Sequence, residues 1–129
     1  MKYTWRGFSL MELMIVVALA AILLGLSVPT YQGFVRKSTR AEAVVTLLDW
    51  ANRQDVWRAD NASYNLNISP AADTNYAYSM VANNTSFTLT ATSQGRQTND
   101  KEKGVACSVM TINQAGVTGP VGHEACWSH

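Results

Sequence analysis

Charged residues are scarce in this chain, and histidine, cysteine and proline are scarcer still. Of its 129 residues 15% are Asp, Glu, Lys or Arg, and the chain has two histidines, two cysteines and three prolines. We find no pairing of a nucleophile with a base beyond coincidence, so we expect no enzymatic activity, no metal and no cofactor. The length allows one hydrophobic segment and one small domain, but not two cores.

An excess of positive charge is missing from the C-terminal part. From Ala41 onward five Lys or Arg stand against eight Asp or Glu, a net charge of −3, although the whole chain has a net charge of +1. This balance argues against a general polyanion binder, because nucleic-acid affinity depends on clustered positive charge. A local basic patch remains compatible with it.

The candidate DNA contacts are three basic residues in one polar segment, Arg96, Lys101 and Lys103. Cations of this kind bind phosphates, and Trp127 with nearby tyrosines would offer rings for stacking on bases. The alternative is a solvated polar loop, which the acidic residues Asp100 and Glu102 within the segment favour.

The N-terminus carries a long apolar run from Phe8 to Val28 in which Glu12 is the only charged residue. About 21 residues of helix span roughly 30 Å, the thickness of a hydrocarbon core. A cleaved secretory signal is the alternative, with Lys2 and Arg6 as its basic region and Gly25-Leu26-Ser27 as its cleavage region. A lone carboxylate argues against it, since placing such a charge in a membrane helix costs about 2.5 to 3.5 kcal/mol and indicates a function.

Beyond Pro29 the pattern becomes amphipathic and predicts that the helix continues to about Ala59, with a kink or loosening near Pro29 and Gly33. Its polar positions are predicted to point outward, namely Arg40, Asp49, Arg53 and Arg58. Its apolar stripe, predicted to lie on a sheet, is formed by Tyr31, Phe34, Val35, Ala41, Val45, Leu48 and Ala51.

The remaining chain shows strand signals. Alternating residues predict strands over Tyr76 to Ala82 and from Phe87 to Ala91, joined by a turn at Asn83-Asn84. A third strand is predicted over about Val105 to Ile112, followed by a turn at Asn113 to Gly116 and a short strand near Val117. The stretches Asn61 to Thr74 and Ser93 to Lys103 are predicted to be loops.

The two cysteines, Cys107 and Cys126, lie in the part predicted to be exported. They indicate one disulfide that closes a loop of about 20 residues and contributes roughly 3 kcal/mol. Together with His123 and His129 they would offer zinc ligands, but the spacing follows no familiar finger. A metalloprotease motif starting at His123 also fails, because its second histidine would be at the position of Trp127.

The motif Gly7-Phe8-Ser9-Leu10-Met11-Glu12-Leu13 resembles that of type IV prepilins, a basic leader and a glycine followed by Phe-Thr-Leu-Ile-Glu-Leu. The resemblance is specific over about the first 35 residues and topological afterwards. Within the family the C-terminal part is most similar to PilE-type minor pilins and to ComP-type DNA-uptake pilins. The features that carry this are Arg40-Ala41-Glu42-Ala43, Asn61 between Trp57 and Tyr64, Tyr76-Ala77-Tyr78 and Cys126-Trp127.

The resemblance implies that a prepilin peptidase cuts between Gly7 and Phe8 and then N-methylates Phe8. It also implies that Glu12 of one subunit pairs with the amine of Phe8 of a neighbour, which neutralises both charges in the filament core. The precursor would be anchored in the bacterial inner membrane, and the mature subunit would join an extracellular pilus.

We therefore expect an α+β protein with a type IV pilin fold, a long N-terminal helix packed on an antiparallel sheet of about four strands. The expected segments are a leader (1–7), a membrane-spanning or filament-core helix (8–28), an amphipathic helix half (29–59) and a disulfide-closed head (60–129). The expected function is that of a minor pilin in a filament that supports adhesion, motility or DNA uptake. The alternatives are a DNA receptor at the fibre surface and a type II secretion pseudopilin.

Overall fold

The computed structural model describes residues 7–128, apart from the side chain of residue 27. Residues 1–6 of the predicted leader and His129 lie outside the described residues. The secondary structure consists, in chain order, of α1 (Leu10–Asp60), β1 (Tyr76–Ala82), β2 (Phe87–Ser93), a 3-10 helix (Gly95–Asn99), β3 (Lys101–Glu102), β4 (Val105–Ala106), β5 (Val109–Asn113), β6 (Thr118–Gly119) and a second 3-10 helix (Glu124–Trp127).

The chain divides into two compact units between Phe34 and Val35. In the first unit every described side chain is exposed, including Phe8 at 81% and Leu10 at 77%. The most apolar 18-residue window of α1 has a mean hydropathy of 2.5, and none of it is buried. This helix is long and apolar enough to cross a membrane. N-terminal signal sequences meet the same criteria of length and composition.

The predicted end of the helix near Ala59 is confirmed, since α1 ends at Asp60. The helix is continuous from Leu10, and Pro29 lies inside it. A proline removes one backbone donor from a helix, and α1 continues on both sides of Pro29 despite this loss.

The second unit contains the predicted four-stranded antiparallel sheet, with the strand order β1-β2-β5-β6. The predicted hairpin is also confirmed, with Tyr76 paired to Ser93 at one end of β1 and Ala82 to Phe87 at the other. At its turn the side-chain oxygen of Asn83 accepts hydrogen bonds from the backbone N–H groups of Thr85 and Ser86, at 2.8 and 2.7 Å. An asparagine favours a turn because it makes such bonds.

The predicted third strand is confirmed over Val109 to Ile112, which lie in β5, but its first part is wrong, because the chain breaks between Ala106 and Val109 into the separate strands β4 and β5. The segment predicted to be the preceding loop contains a 3-10 helix and β3, which pairs with β4 in a ribbon of its own. The break occurs because the N–H of Cys107 donates to the carbonyl of Asp100 at 3.0 Å, away from the main sheet. The predicted fourth strand is β6, one residue beyond Val117.

The core lies between the second half of α1 and the inner face of the sheet. Its buried apolar members are Ala43, Val44, Leu47, Trp50, Tyr76, Phe87, Leu89, Ala91, Cys107, Met110, Ile112 and Cys126. The predicted apolar stripe on α1 is therefore wrong by about one residue, since Val45 and Leu48 are 64% and 49% exposed while Leu47 is fully buried. Burial follows the face that contacts β1, β2 and β5, and apolar residues on the adjoining face stay exposed.

Two polar contacts tie the segment after α1 to the helix. Gln54, which is fully buried, donates to the carbonyl of Asn65 at 2.8 Å and accepts from its N–H at 2.9 Å. The indole N–H of Trp50 donates to the carbonyl of Ile68. These bonds satisfy buried polar groups of an irregular segment, which would otherwise destabilise the fold.

Candidate functional site

The N-terminal motif lies at the start of α1. Gly7, Phe8 and Ser9 precede the helix, and Glu12 lies in its first turn. A carboxylate there interacts favourably with the N-terminal end of the helix dipole. Within residues 7–128, no hydrogen bond or ion pair engages the Glu12 carboxylate, which is exposed together with Phe8. Both side chains are thus available to another molecule.

The second candidate site is the segment of residues 95–104, which we call the basic loop. It presents the three predicted DNA contacts: Arg96 lies in the 3-10 helix, Lys101 in β3 and Lys103 in the turn between β3 and β4. All three side chains are exposed. Lys103 and Gly104 both have a positive φ, 49° and 85°, as a tight two-residue hairpin turn requires.

The two carboxylates of the basic loop, those of Asp100 and Glu102, point inward to α1. Asp100 accepts a hydrogen bond at 2.7 Å from the guanidinium of Arg40, and both side chains are almost completely buried. Glu102 accepts from the same guanidinium and lies 3.8 Å from the Lys37 amine. The pKa of Glu102 is held below its ordinary value, chiefly by the hydrogen bond from Arg40. The acidic residues predicted to dilute the basic patch are therefore paired with helix cations.

The outward position predicted for Arg40 is consequently wrong, since this residue is 1% exposed. It lies on the same helix face as Ala43, Val44 and Leu47, at steps of three and four residues. That spacing was visible in the sequence. The signals for the interaction of Arg40 with Asp100 and Glu102 were a basic residue at a core position of the helix and two acids far along the chain.

Gln97 completes the inner side of the basic loop. Its amide N–H group donates to the carbonyl of Arg36 at 2.9 Å and to the hydroxyl of Tyr76 at 3.0 Å. Burial raises the pKa of Tyr76 to about 12, against which the Gln97 hydrogen bond acts. A neutral tyrosine and a buried amide thus hold this loop against α1 and β1.

The disulfide adds a further attachment next to the ribbon. Cys107, the residue after β4, is bonded to Cys126 in the second 3-10 helix, as predicted. Because both sulfurs are in this bond, neither is a thiolate ligand for zinc. Within residues 7–128 the structure contains no group of three or more His, Cys, Asp or Glu able to hold a metal ion.

The aromatic residues predicted to stack on bases are largely used inside the fold. Trp127 is half-buried, and its indole N–H donates to the carbonyl of Gly119 at 3.1 Å. Tyr76 is buried, and desolvation raises the pKa of the half-buried Tyr78. Phosphate contact by cations is therefore the chemistry for which the basic loop is equipped.

The exposed apolar helix, the motif at its start and the helix-on-sheet head define a type IV pilin-like protein. Residues 6–28 match the prokaryotic N-terminal methylation motif. Residues 29–111 match the family described as type IV minor pilin ComP, DNA uptake sequence receptor. The chain belongs to this family.

Several relatives are similar over much of the chain. The fimbrial protein EcpC of Eikenella corrodens is 34% identical over 71% of this chain, which spans 65% of that protein's length. The type IV major pilin protein PilE of Neisseria gonorrhoeae is 26% identical, and the alignment covers 86% of this chain and 70% of the length of PilE. Type II secretion system core protein G of Pectobacterium carotovorum subsp. carotovorum is 34% identical over 48% of this chain and 40% of its own.

Among solved structures, a type IV pilin from Shewanella oneidensis aligns with a TM-score of 0.60. It is 26% identical, and the alignment covers 73% of this chain and 99% of that one. This confirms the predicted pilin fold.

Proposed function

We propose that this protein is a minor pilin, made as an inner-membrane precursor and assembled through α1 into an extracellular type IV pilus. The observation that carries the proposal is the first unit, an apolar helix with every described side chain exposed and a methylation motif at residues 6–28. So large an apolar surface needs a bilayer or other apolar helices around it. The helix of a pilin lies in the bilayer before assembly and among the helices of other subunits in the filament.

The processing step follows from the motif. A prepilin peptidase hydrolyses the peptide bond between Gly7 and Phe8, which leaves Gly7 as a carboxylate and Phe8 as a new amine. The amine then takes a methyl group from a sulfonium donor, which leaves as a thioether, and one proton is released. Because α1 begins only at Leu10, this bond lies before the helix, and no helical turn has to open for its cleavage. The methylated ammonium of Phe8 and the carboxylate of Glu12 in a neighbouring subunit then neutralise each other.

Intact mass spectrometry tests the processing proposal. The full chain is expressed with a prepilin peptidase, extracted from membranes and compared with the chain made without the peptidase. We expect a mass that corresponds to a start at Phe8 plus one methyl group, and the unprocessed mass without peptidase. A start at Val28 would instead identify a secretory signal and overturn the proposal.

The second candidate function, a DNA receptor on the fibre, is favoured by a specific observation. The cations of the basic loop are exposed, while its carboxylates are bound by Arg40 and Lys37 on the inner side. The local surface is therefore more positive than the composition indicates. The description of the matching family as a DNA uptake sequence receptor points to the same ligand.

A salt titration of DNA binding tests this candidate. The full chain in non-ionic detergent is titrated with a mixed-sequence DNA duplex, and Lys101→Gln is compared with Arg53→Gln, an exposed cation on α1. We expect Lys101→Gln to weaken binding and to lower the slope of log affinity against log salt by about one. Equal behaviour of the two variants would remove the basic loop from the interface, and no binding at low salt would end the receptor proposal.

A further inference from the structure

Arg40 joins two parts of the chain that are far apart in sequence. Its guanidinium lies 2.7 Å from the carboxylate of Asp100, 60 residues away, and it also donates to Glu102. Arg40 is 1% exposed and Asp100 3% exposed. A surface so small cannot be a DNA contact, and a buried ion pair of this kind acts by fixing an arrangement.

The arrangement that it fixes is the orientation of the basic loop. Successive residues of a strand point to opposite sides, so with Glu102 turned toward Arg40 its neighbour Lys101 is turned toward solvent. The tight turn at Lys103 then holds a second cation on the exposed side. The pairing of the acids with Arg40 and the exposure of the cations therefore both follow from the alternation of side chains along this strand.

Once Arg40 is removed, the bonds that remain still attach the loop, but none of them brings a cation to Asp100. The remaining bonds from α1 to this loop are the long ion pair of Lys37 with Glu102 and the hydrogen bond between Gln97 and the Arg36 carbonyl. Neither neutralises Asp100. Gln97 still donates to the Asp100 carboxylate at 3.3 Å, but this bond is long and its donor is neutral, so the buried charge is driven toward water. Both acids would then share the surface of Lys101 and Lys103 and repel phosphates.

We propose that Arg40 is a positioning residue for DNA binding, which holds the acids of the basic loop inward so that its exposed cations meet the phosphate backbone. The inference rests on the proposed DNA-receptor function and deepens it. It assigns specificity for a polyanion to a residue that does not touch the ligand.

The test compares substitutions in the full chain in non-ionic detergent, with a mixed-sequence DNA duplex as the probe. Arg40→Met keeps a flexible apolar stem like that of arginine and removes the guanidinium with its charge. The triple variant Arg40→Met, Asp100→Asn, Glu102→Gln also removes the charge of both acids. Arg53→Met is the matched control, because Arg53 is an exposed arginine of the same helix.

We expect Arg40→Met to weaken binding and to lower the salt slope by about one to two, since the freed acids neutralise up to two cations. The triple variant should recover the affinity and slope of the unsubstituted chain to within about twofold, because the repulsive charges are gone. Arg40→Lys should retain part of the binding, and Arg53→Met should retain nearly all of it.

A purely structural role would give a different result, namely that the triple variant binds as poorly as Arg40→Met. That result, or full binding by Arg40→Met, would overturn the proposal. If Arg40→Met unfolds, the triple variant is compared with the unsubstituted chain: binding within about twofold would support the proposal, and loss of binding would overturn it.

A separate readout keeps the positioning claim testable if the unsubstituted chain binds no DNA, which would refute the receptor function. Hydrogen exchange of the Cys107 amide reports the orientation of the loop, because this N–H donates to the Asp100 carbonyl at 3.0 Å. Faster exchange in Arg40→Met than in Arg53→Met would support an orienting role for Arg40. Equal exchange would overturn it.

Discussion

Glu102 shows how one residue of the basic loop links pH to stability. Arg40 donates a hydrogen bond to its carboxylate, and this is the main reason why its pKa lies below the ordinary value of 4.5. Desolvation is the next largest effect and raises the pKa, while the positive charges of Lys37, Arg40 and Lys103 lower it further. The ionised form is thus favoured in the folded chain relative to the unfolded one.

The sign of the pH effect follows from that difference. A carboxyl group with a lowered pKa in the folded state stabilises the fold above its unfolded value, near 4.5, and this contribution is lost as the pH falls through the folded value. We expect the melting temperature of the head to fall below that pH, and to fall less steeply in Glu102→Gln. Circular dichroism melts of both chains in non-ionic detergent would measure it, and identical slopes would contradict the assignment.

Two adjacent leucines of α1 test which helix face is the core. Leu47 is fully buried and Leu48 is 49% exposed. We expect Leu47→Ala to lower the free energy of unfolding by about 3 to 4 kcal/mol, because it leaves a cavity against the sheet. Leu48→Ala is the matched control and should cost less than about 1 kcal/mol. Urea titrations would measure both, and similar losses would refute the structural register.

At the scale of elements, the ribbon of β3 and β4 depends on the disulfide beside it. Cys107 follows β4 directly and is bonded to Cys126. We expect the double variant Cys107→Ser, Cys126→Ser to lose about 3 kcal/mol of stability, the usual cost of removing a disulfide that closes a loop of this length. Treatment of the unsubstituted chain with a reductant should give a similar loss, and no change in either case would show that packing alone holds the ribbon.

The predictable elements are those with a sustained pattern. The strands β1 and β2 alternate over seven residues each, and their turn carries Asn83, so their positions and pairing could be derived from the sequence. The ribbon of β3 and β4 has two residues in each strand, too few to show a period. Its pairing depends on a long-range contact of Asp100 with Arg40, which no local pattern encodes.

The face of α1 was ambiguous for a different reason. Apolar residues occupy two adjoining faces, the buried one with Val44 and Leu47 and an exposed one with Val45 and Leu48. A hydrophobic period alone does not say which face meets the sheet. The charge of Arg40 favours an outward position for this residue and therefore selects the wrong face of α1. In the structure Arg40 is the side chain that connects the core to the candidate site.

At the scale of the whole molecule, the two units require different surroundings. The second unit has its own buried core, while the described side chains of the first are exposed. Removal of residues 1–7 takes away Lys2 and Arg6, so the formal side-chain charge changes from +1 to −1. The proposed processing would thus create one amine at the start of an apolar segment in which Glu12 is the only acid.

The proposed assembly through the Phe8 amine and the Glu12 carboxylate is tested on the whole molecule. Glu12→Gln keeps the shape of the side chain and removes its charge, so the ammonium of Phe8 in a neighbouring subunit loses its partner. An unpaired charge in an apolar environment costs about 2.5 to 3.5 kcal/mol, which corresponds to about a hundredfold in an assembly equilibrium. We expect the variant to be cleaved and methylated but to remain in the membrane fraction. Glu42→Gln, an exposed acid of the same helix in the second unit, is the matched control and should enter sheared filaments normally. Incorporation of Glu12→Gln at the level of the control would show that the carboxylate acts only at the helix terminus.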